Sequence, residues 1–467
     1  MKKPLQPLSI ELSQAELGDL RLSDRLGQIA NALQQAPSAG LPKAMRTPAA
    51  LEAAYRFVSN RRVTPQGILD PHIEGTIRRA VEEQSVLAIH DTTEFELRGE
   101  ERQGLGRLTG PGQGFVAHVA LAVGESGLQP LGVVGLATHA RLEPPTAKKD
   151  RLTYAYRTRD EKEANRWWET VSAIQAATAG RTKWIHVADR EADSYRMLVQ
   201  IVEGGDDFVI RAAHDRAIEG TGHLKETVRS AVAVLEREVS LSPRKGKRTE
   251  NGELLRGQTN LPRKARSARL SVAATTVSLR KSWALPTADF PRCLDVSVVR
   301  VYEEEDPPQG EQAVEWILLT TLPTKTKKQI ERVVDIYRAR WLIEEFFKAV
   351  KTGCRYEQMQ LESYSTLTNA LAIVLPVAWQ MLLLRQLSRA TDVPASAVLT
   401  PVQLRVLKAV SPAKISSRPS SHEALMAIAA LGGHIKNNGD PGWLVLYRGF
   451  RDLMMFERGW QARCDQS

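Results

Sequence analysis

Apolar positions change their spacing several times along the chain, and each change marks a change of element. Leu12, Leu17, Leu20, Leu22, Leu26, Ile29 and Leu33 recur mostly at three- and four-residue steps, the period of an amphipathic helix. A second helix is predicted from Pro48 to Asn60. Thr47 is its N-cap, ahead of a proline whose missing N–H costs nothing in a first turn. A third follows Thr64 and Pro65, so residues 10 to 83 read as helical. From Val86 the pattern shortens. VLAIHD (Val86 to Asp91), FVAHVALAV (Phe115 to Val123) and LGVVGLATH (Leu131 to His139) are β-rich runs set apart by glycine and proline. Glu161 to Ala179 returns to helix, WIHVAD (Trp184 to Asp189) is another buried strand, and EADSYRMLVQIV continues as helix. Strand–helix–strand alternation predicts an α/β core.

Between about Phe208 and Tyr302 the character changes again. FVIRAA, REVSL, ARLSVAA, TTVSL and VSVVRVY read as strands, and RKGKR (Arg244 to Arg248) and PRKARSAR (Pro262 to Arg269) are dense basic runs between them. WILLT (Trp316 to Thr320) is a core strand, and one long helix is predicted from about Lys325 to Lys351. The remainder, from Ser363, is mostly helical. These shifts divide the chain into a helical segment 1–83, an α/β core 84–362 with a β-rich insertion at about 208–302, and a helical segment 363–467. The most apolar stretch, Ala370 to Leu384, holds Pro376 and Gln380, is too short to span a bilayer, and reads as a buried helix.

Composition adds a direction. With 42% hydrophobic and 25% charged residues the chain has material for a core. Its formal net charge of +10 fits a polyanionic partner and equally a merely basic soluble protein. Cys293, Cys354 and Cys464 are far apart and form no CxxC pair, as expected in a reducing compartment. The first residues, broken by Pro4, Pro7 and Glu11, do not read as a signal peptide, so a cytoplasmic location is expected.

Candidate chemistry sits in three blocks. On the long helix, Tyr337, Arg340, Glu344, Lys348 and Lys351 fall in one stripe, while Ile343, Phe346, Phe347 and Val350 form a separate apolar face. The stripe suits a solvated face with salt bridges at i,i+4; it also suits a metal-binding carboxylate beside a phosphate backbone. Asp91 and Asp189 each follow an apolar strand and are expected at strand ends, where an aspartate is commonly an N-cap. Converging carboxylates need a counter-charge, which hard divalent cations supply. The pair Trp167-Trp168 is expected to pack a helix on the sheet. His118, His139 and His186 lack metal-ligand spacing and read as core or edge histidines. GRLTGPGQG (Gly106 to Gly114) lacks the Lys-Ser/Thr of a phosphate-binding loop.

Taken together, HDTT, VADREAD and Y-x2-R-x3-E-x6-K, in this order, resemble the DDE transposases of the insertion-sequence-four family. LGDLRLSDRL and AAYRFVSN resemble that family's end-binding region, and MAIAALGGHI its dimerisation region. One departure is His90, where the family favours an acidic residue. The resemblance implies a ribonuclease-H-like α/β core with a β-rich insertion, flanked by an N-terminal DNA-end-binding and a C-terminal dimerisation domain. It implies that Asp91, Asp189 and Glu344 bind Mg2+, or Mn2+ in its place, as two ions. Tyr337, Arg340 and Lys351, with Lys348 beside them, would hold phosphates. Trp316 matches a tryptophan that stacks on a flipped base, although a core role suits it too. Arg211 matches an arginine near the flipped strand, and Arg21, Arg25 and Arg56 match residues that touch the element's end. The implied function is cut-and-paste transposition through a DNA hairpin, by a homodimer that synapses transposon ends and joins them to target DNA. The alternatives are a non-catalytic DNA-binding regulator and a nuclease of the same core without end recognition.

Overall fold

The computed structural model describes residues 7–141, 165–241, 243, 261–282, 285, 289–389, 393–435 and 439–464. The basic run RKGKR lies outside these residues, as do the first four residues of the helix expected from Glu161, which is observed as Asn165–Thr178. The chain divides into two compact units, one formed by Met1–Thr182 with Trp341–Ser467 and the other by Lys183–Arg340.

In the first unit, strand β1 (Val86–Glu96) precedes the short β2 (Gly106–Arg107), β3 (Gln113–Gly124) and β4 (Pro130–His139). β1 pairs antiparallel with β3 from Val86↔Gly124 to Glu96↔Gly114, and β3 pairs antiparallel with β4. The pairing carries β1 five residues past Asp91, so Asp91 stands within the strand and not at its end. What changes at Asp91 is burial: Val86 to His90 are all buried and Asp91 to Glu94 are half-buried. The apolar run ends because the sheet reaches solvent, while its hydrogen bonds continue.

The helix Tyr364–Leu387 has 24 residues and by length and composition could cross a membrane, yet 94% of its most apolar window is buried inside the protein. It packs against the helix Pro65–Val81 and β4. It is longer than the expected apolar stretch because Ser363 caps it with a reciprocal Ser363–Thr366 capping box. Near the C-terminus, helices Ser421–Leu431 and Trp443–Cys464 cross closely at glycines. A Cβ on Gly449 would lie 1.7 Å from the Ile428 carbonyl oxygen, and one on Gly432 would lie 2.0 Å from that of Val445. The small residues of MAIAALGGHI therefore serve a contact within the chain.

A buried ionic cluster ties this unit together. Glu11, 1% exposed, accepts from Arg79 at 3.1 Å through Oε2 and meets His72 Nδ1 through Oε1. His72 Nε2 accepts the Val133 N–H at 3.1 Å, which leaves the ring proton on Nδ1, facing Glu11. Arg79 Nε donates to the Leu131 carbonyl at 2.6 Å, and its guanidinium lies 4.6 Å from the Trp379 ring centroid. Burial alone would raise the Glu11 carboxyl, but His72 and Arg79 outweigh it and hold it below the ordinary range.

The second unit is one sheet, built from β5 (Trp184–Ala188), β6 (Asp207–Arg211), β7 (Ala233–Leu241), β8 (Arg266–Arg280), β9 (Cys293–Glu303) and β10 (Glu315–Thr320). β5 and β6 are parallel, and β6, β10, β9, β8 and β7 follow in antiparallel order. The β-rich insertion thus extends the core sheet, because β9 pairs directly with β10 at Trp316↔Val301 and its neighbours. ARLSVAA and TTVSL, expected as two strands, are one: β8 is paired to β7 over its first half and to β9 from Leu270 to Arg280. The long helix expected over Lys325–Lys351 is divided into Lys327–Ala339, Trp341–Lys348 and a π-turn, Ala349–Gly353. Arg340 between the first two keeps helical torsions (φ −49°, ψ −31°).

Trp167 is buried, 4.3 Å from the His118 ring, and so packs its helix on the sheet as expected. His118 bonds Thr92 Oγ1 at 3.1 Å and His90 at 3.3 Å, and His186 meets Asp206 at 3.2 Å. Burial pushes the His118 imidazole down to about 3, with Arg166 adding to the effect. The unfolded chain takes up that proton near the ordinary value of 6.5, so this share of stability is complete above 6.5 and is lost as pH falls toward 3. Glu11, with its lowered carboxyl, acts in the same sense at more acid pH. The melting temperature is therefore expected to fall between pH 7 and 5, and His118→Phe should flatten that slope; equal slopes in calorimetry of the two proteins would contradict it.

Candidate active site and nucleic-acid interface

In the first unit, half-buried Asp91 accepts the backbone N–H of Thr92 at 2.8 Å. Three residues on, the Glu94 carboxylate takes the Thr109 hydroxyl at 2.7 Å and also binds Arg141, pinning the glycine-rich GRLTGPGQG as a hairpin beside β1. The helix Trp341–Lys348 packs on β1 and buries Leu342, Ile343, Phe346 and Phe347, which leaves Glu344 half-buried. So Asp91 and Glu344 belong to two elements in contact. The adjacent carboxylate, Glu345, pairs with Lys348 at 2.8 Å and accepts from the Trp443 indole at 3.2 Å.

Lys351 lies on the π-turn. Widening the helix by one residue per turn rotates the next side chains out of the regular stripe. Lys351 accordingly donates to the backbone carbonyl of Glu94 on β1 and lies 3.6 Å from Glu357. The turn also needs glycine at its end: a Cβ on Gly353 would fall 2.2 Å from the buried Tyr447 ring.

In the second unit, Asp189 follows β5 directly, as expected, and caps the turn Arg190–Ala192 by accepting the Glu191 N–H at 2.8 Å. The second aspartate of that block is structural. Asp193 is buried and accepts the N–H groups of Ala213 (2.7 Å) and His214 (2.9 Å) and the Arg216 guanidinium (2.7 Å). Arg211 ends β6, and its Nη2 donates to the Glu315 carbonyl at 2.7 Å. Next to Glu315, Trp316 is half-buried and makes an edge contact with Tyr337, ring centroids 5.3 Å apart. It is not a fully buried core residue. Burial raises the Tyr337 hydroxyl against the pull of Arg211 and Arg340. Burial likewise lowers Arg211, partly offset by Tyr337 and Asp189. Tyr337 and Arg211 thus act on each other, and Asp189 acts on both.

Beside them opens a cavity of about 470 Å³. Seven cationic side chains line it, among them Arg190, Arg211, Arg229, Arg237 and Arg338, together with Trp316. Among the described residues that line it, Glu315 is the one carboxylate, and it holds Arg229 at 2.7 Å and Arg300 at 2.9 Å. A cavity so rich in cations is suited to an anion with an apolar or aromatic part, such as a nucleotide. Apart from Arg211 and Trp316, these lining residues were not singled out by any spacing in the sequence. Arg190 and Arg338 only neighbour motif residues, and the others are scattered through an arginine-rich insertion.

Two family descriptions match the chain: Transposase DNA-binding over residues 8–63, and Transposase DDE domain over residues 146–379, half of its length. The chain belongs to the DDE transposases. Such enzymes generally work with divalent metal ions. The DDE match encloses Asp189, Arg211, Trp316, Tyr337, Arg340, Glu344, Lys348 and Lys351, and begins beyond Asp91. Carboxylate oxygens are the donors that hard divalent cations take. Among the described residues, however, no group of three or more His, Cys, Asp or Glu side chains is gathered closely enough to hold an ion. The DNA-binding match encloses Arg21, Arg25 and Arg56. On the transposase surface Arg21 pairs with Asp19 at 2.9 Å, Arg56 pairs with Glu52, and Arg25 donates to Gln28 at 2.8 Å.

If the cavity of the second unit takes nucleic acid, Arg190→Ala and Arg338→Ala should each weaken binding of a single-stranded oligonucleotide. Each should also flatten the dependence of log affinity on log salt by about 0.7. Fluorescence anisotropy across a salt series checks this, and an unchanged slope in both variants would place the strand elsewhere.

Proposed function

We propose that this DDE transposase is a cut-and-paste enzyme of the insertion-sequence-four type, near the Tn-five transposase. It acts in the cytoplasm on the nucleoid. In this reading a homodimer pairs two transposon ends, cleaves them through a hairpin intermediate and joins the 3′ ends to target DNA. The observation that carries it is the grouping, in one unit, of Asp189, Arg211, Tyr337 and Trp316 beside a cationic cavity.

Asp91, Asp189 and Glu344, which form no gathered ligand group in this structure, would be the residues to hold the metal, Mg2+ with Mn2+ as substitute, as two ions. Bound there, the ions supply positive charge at the attacking and leaving oxygens of an in-line displacement. The protein's own groups do the rest. Tyr337, its hydroxyl raised by burial, stays protonated at neutral pH and can donate to a phosphate oxygen. Arg340 and Lys351 hold phosphates together with Tyr337, Lys348 lies beside them, Arg211 lies close to the flipped strand, and Arg21, Arg25 and Arg56 engage the element's end. Trp316 offers an indole face to a base moved out of the stack at a hairpin, where stacking recovers about 1–3 kcal/mol.

A supercoiled plasmid bearing a matched pair of element ends separates the readings. Asp91→Ala, Asp189→Ala and Glu344→Ala should each abolish nicking, hairpin opening and strand transfer while end binding persists, and chelator should do the same to the wild type. Strong Mg2+-dependent cleavage by one of these variants would remove that residue from the set. A protein that binds ends and cuts nothing under any metal is a regulator; one that cuts plasmids with and without ends alike is a nuclease without end recognition.

Trp316→Ala should leave first-strand nicking largely intact and slow hairpin formation or opening. If Trp316 only packs against Tyr337, the same change should lower the melting temperature and depress every step together. Single-turnover assays beside thermal unfolding decide between the two.

A further inference from the structure

The helix that carries Glu344 is short. Trp341–Lys348 has eight residues, with the junction at Arg340 before it and the π-turn Ala349–Gly353 after it. Leu342, Ile343, Phe346 and Phe347 hold it down, but apolar burial is non-directional and leaves a two-turn helix free to roll by small angles. At about 100° per residue, Glu344 and Glu345 stand at opposite edges of that apolar face. A carboxylate about 5–6 Å from the helix axis moves about 1 Å when the helix rolls by about 10°.

Directed bonds oppose that roll, and Glu345 makes three. Lys348 Nζ meets its Oε1 at 2.8 Å within the helix. The Trp443 indole donates to Oε2 at 3.2 Å, and Arg385 reaches the same oxygen at 3.9 Å. Arg385 comes from the helix Tyr364–Leu387, and Trp443 opens the helix Trp443–Cys464. The Arg385 guanidinium lies 4.6 Å from the Trp443 ring centroid, so the two donors also hold each other. One turn further along the C-terminal helix, the buried Tyr447 fills the space beside Gly353, and the Cys354 thiol donates to its hydroxyl at 3.6 Å. The first turns of one helix therefore grip the Glu344 helix at two points: the residue after Glu344, and the π-turn that carries Lys351.

We propose that Glu345 and Trp443 are positioning residues of the active site. Their hydrogen bond fixes the roll of the Trp341–Lys348 helix and so aims Glu344, although Trp443 lies 98 residues from Glu345 in the chain. The proposal rests on the reading that Glu344 holds metal, and goes beyond it in assigning two residues that act through Glu344.

The test uses the full chain. It measures single-turnover cleavage of a plasmid bearing matched element ends in Mg2+, affinity for an end duplex, and thermal unfolding and amide hydrogen exchange of the metal-free protein. Glu345→Ala and Trp443→Phe should each cleave about ten- to a hundredfold more slowly, the effect of a misplacement of about 1 Å, with end affinity unchanged. Glu345→Gln keeps an acceptor for the indole and should retain most of the rate. Glu345→Ala combined with Trp443→Phe should be no slower than Glu345→Ala alone, because both remove one contact. Without metal, exchange should quicken in residues 341–353 and not in Tyr364–Leu387. Wild-type cleavage by both variants, with Glu344→Ala inactive, overturns the positioning role and leaves Glu344 as a ligand. A lowered melting temperature with weaker end binding and faster exchange in Tyr364–Leu387 also overturns it, since general packing is then what was lost. Full cleavage by Glu344→Ala overturns the metal reading, and this proposal with it.

Discussion

A carboxylate removed from water is stable only where cations and N–H donors surround it. Glu11 sets that requirement for the first unit. Its partners come from elsewhere in the chain: His72 and Arg79 lie on the helix Pro65–Val81, and they in turn bond the backbone of β4 and pack on Trp379. Trp379 closes the circle by donating its indole N–H to the Pro130 carbonyl at 3.0 Å. One buried negative charge therefore fixes the position of the N-terminal segment on the sheet and on the apolar helix Tyr364–Leu387. The DNA-binding region at residues 8–63 begins at this anchor.

The second unit solves the opposite problem. Seven cations around one cavity repel one another, and Glu315 is the only carboxylate among the described residues that line it. Arg229 and Arg300 are drawn to that carboxylate, and Arg211 to the carbonyl of the same residue. The charge that Glu315 leaves unneutralised is a standing positive field, of the sign that suits a phosphate chain. Trp316, next in sequence to Glu315, adds an aromatic edge to a cavity that charge alone would leave indifferent to bases.

Position in the fold also explains why chemically similar residues have different uses. Asp189 and Asp193 belong to the same short block, yet Asp193 is enclosed by Ala213, His214 and Arg216 while Asp189 stays half-exposed beside Arg211 and Tyr337. Glu344 and Glu345 are neighbours on one helix, and Glu345 is taken by Lys348, Trp443 and Arg385. Adjacent positions on a helix point about 100° apart, so Glu345 is the one turned to the packed C-terminal helices.

Local order carried much of the fold. The switch from three- and four-residue to strand spacing at Val86, the N-cap at Thr47, the helix start after Thr64 and Pro65, and the apolar strands β5 and β10 were all legible, because each depends on residues within one or two turns. The motif spacings likewise pointed to the DDE transposases. Tertiary structure decided what those spacings could not. β1 continues through Asp91 because β3 lies alongside it, 28 residues away at that point in the register, where Asp91 meets Val119. β8 is one strand because two partners support different halves of it. The helix that carries Glu344 widens at Ala349–Gly353, where Tyr447, nearly a hundred residues on, occupies the space beside Gly353. The cationic cavity, too, is assembled from arginines on separate strands, helices and turns. Periodicity reports how a segment divides its own faces between core and water; it carries no record of which distant segment arrives to cover them, and that arrival placed the charges.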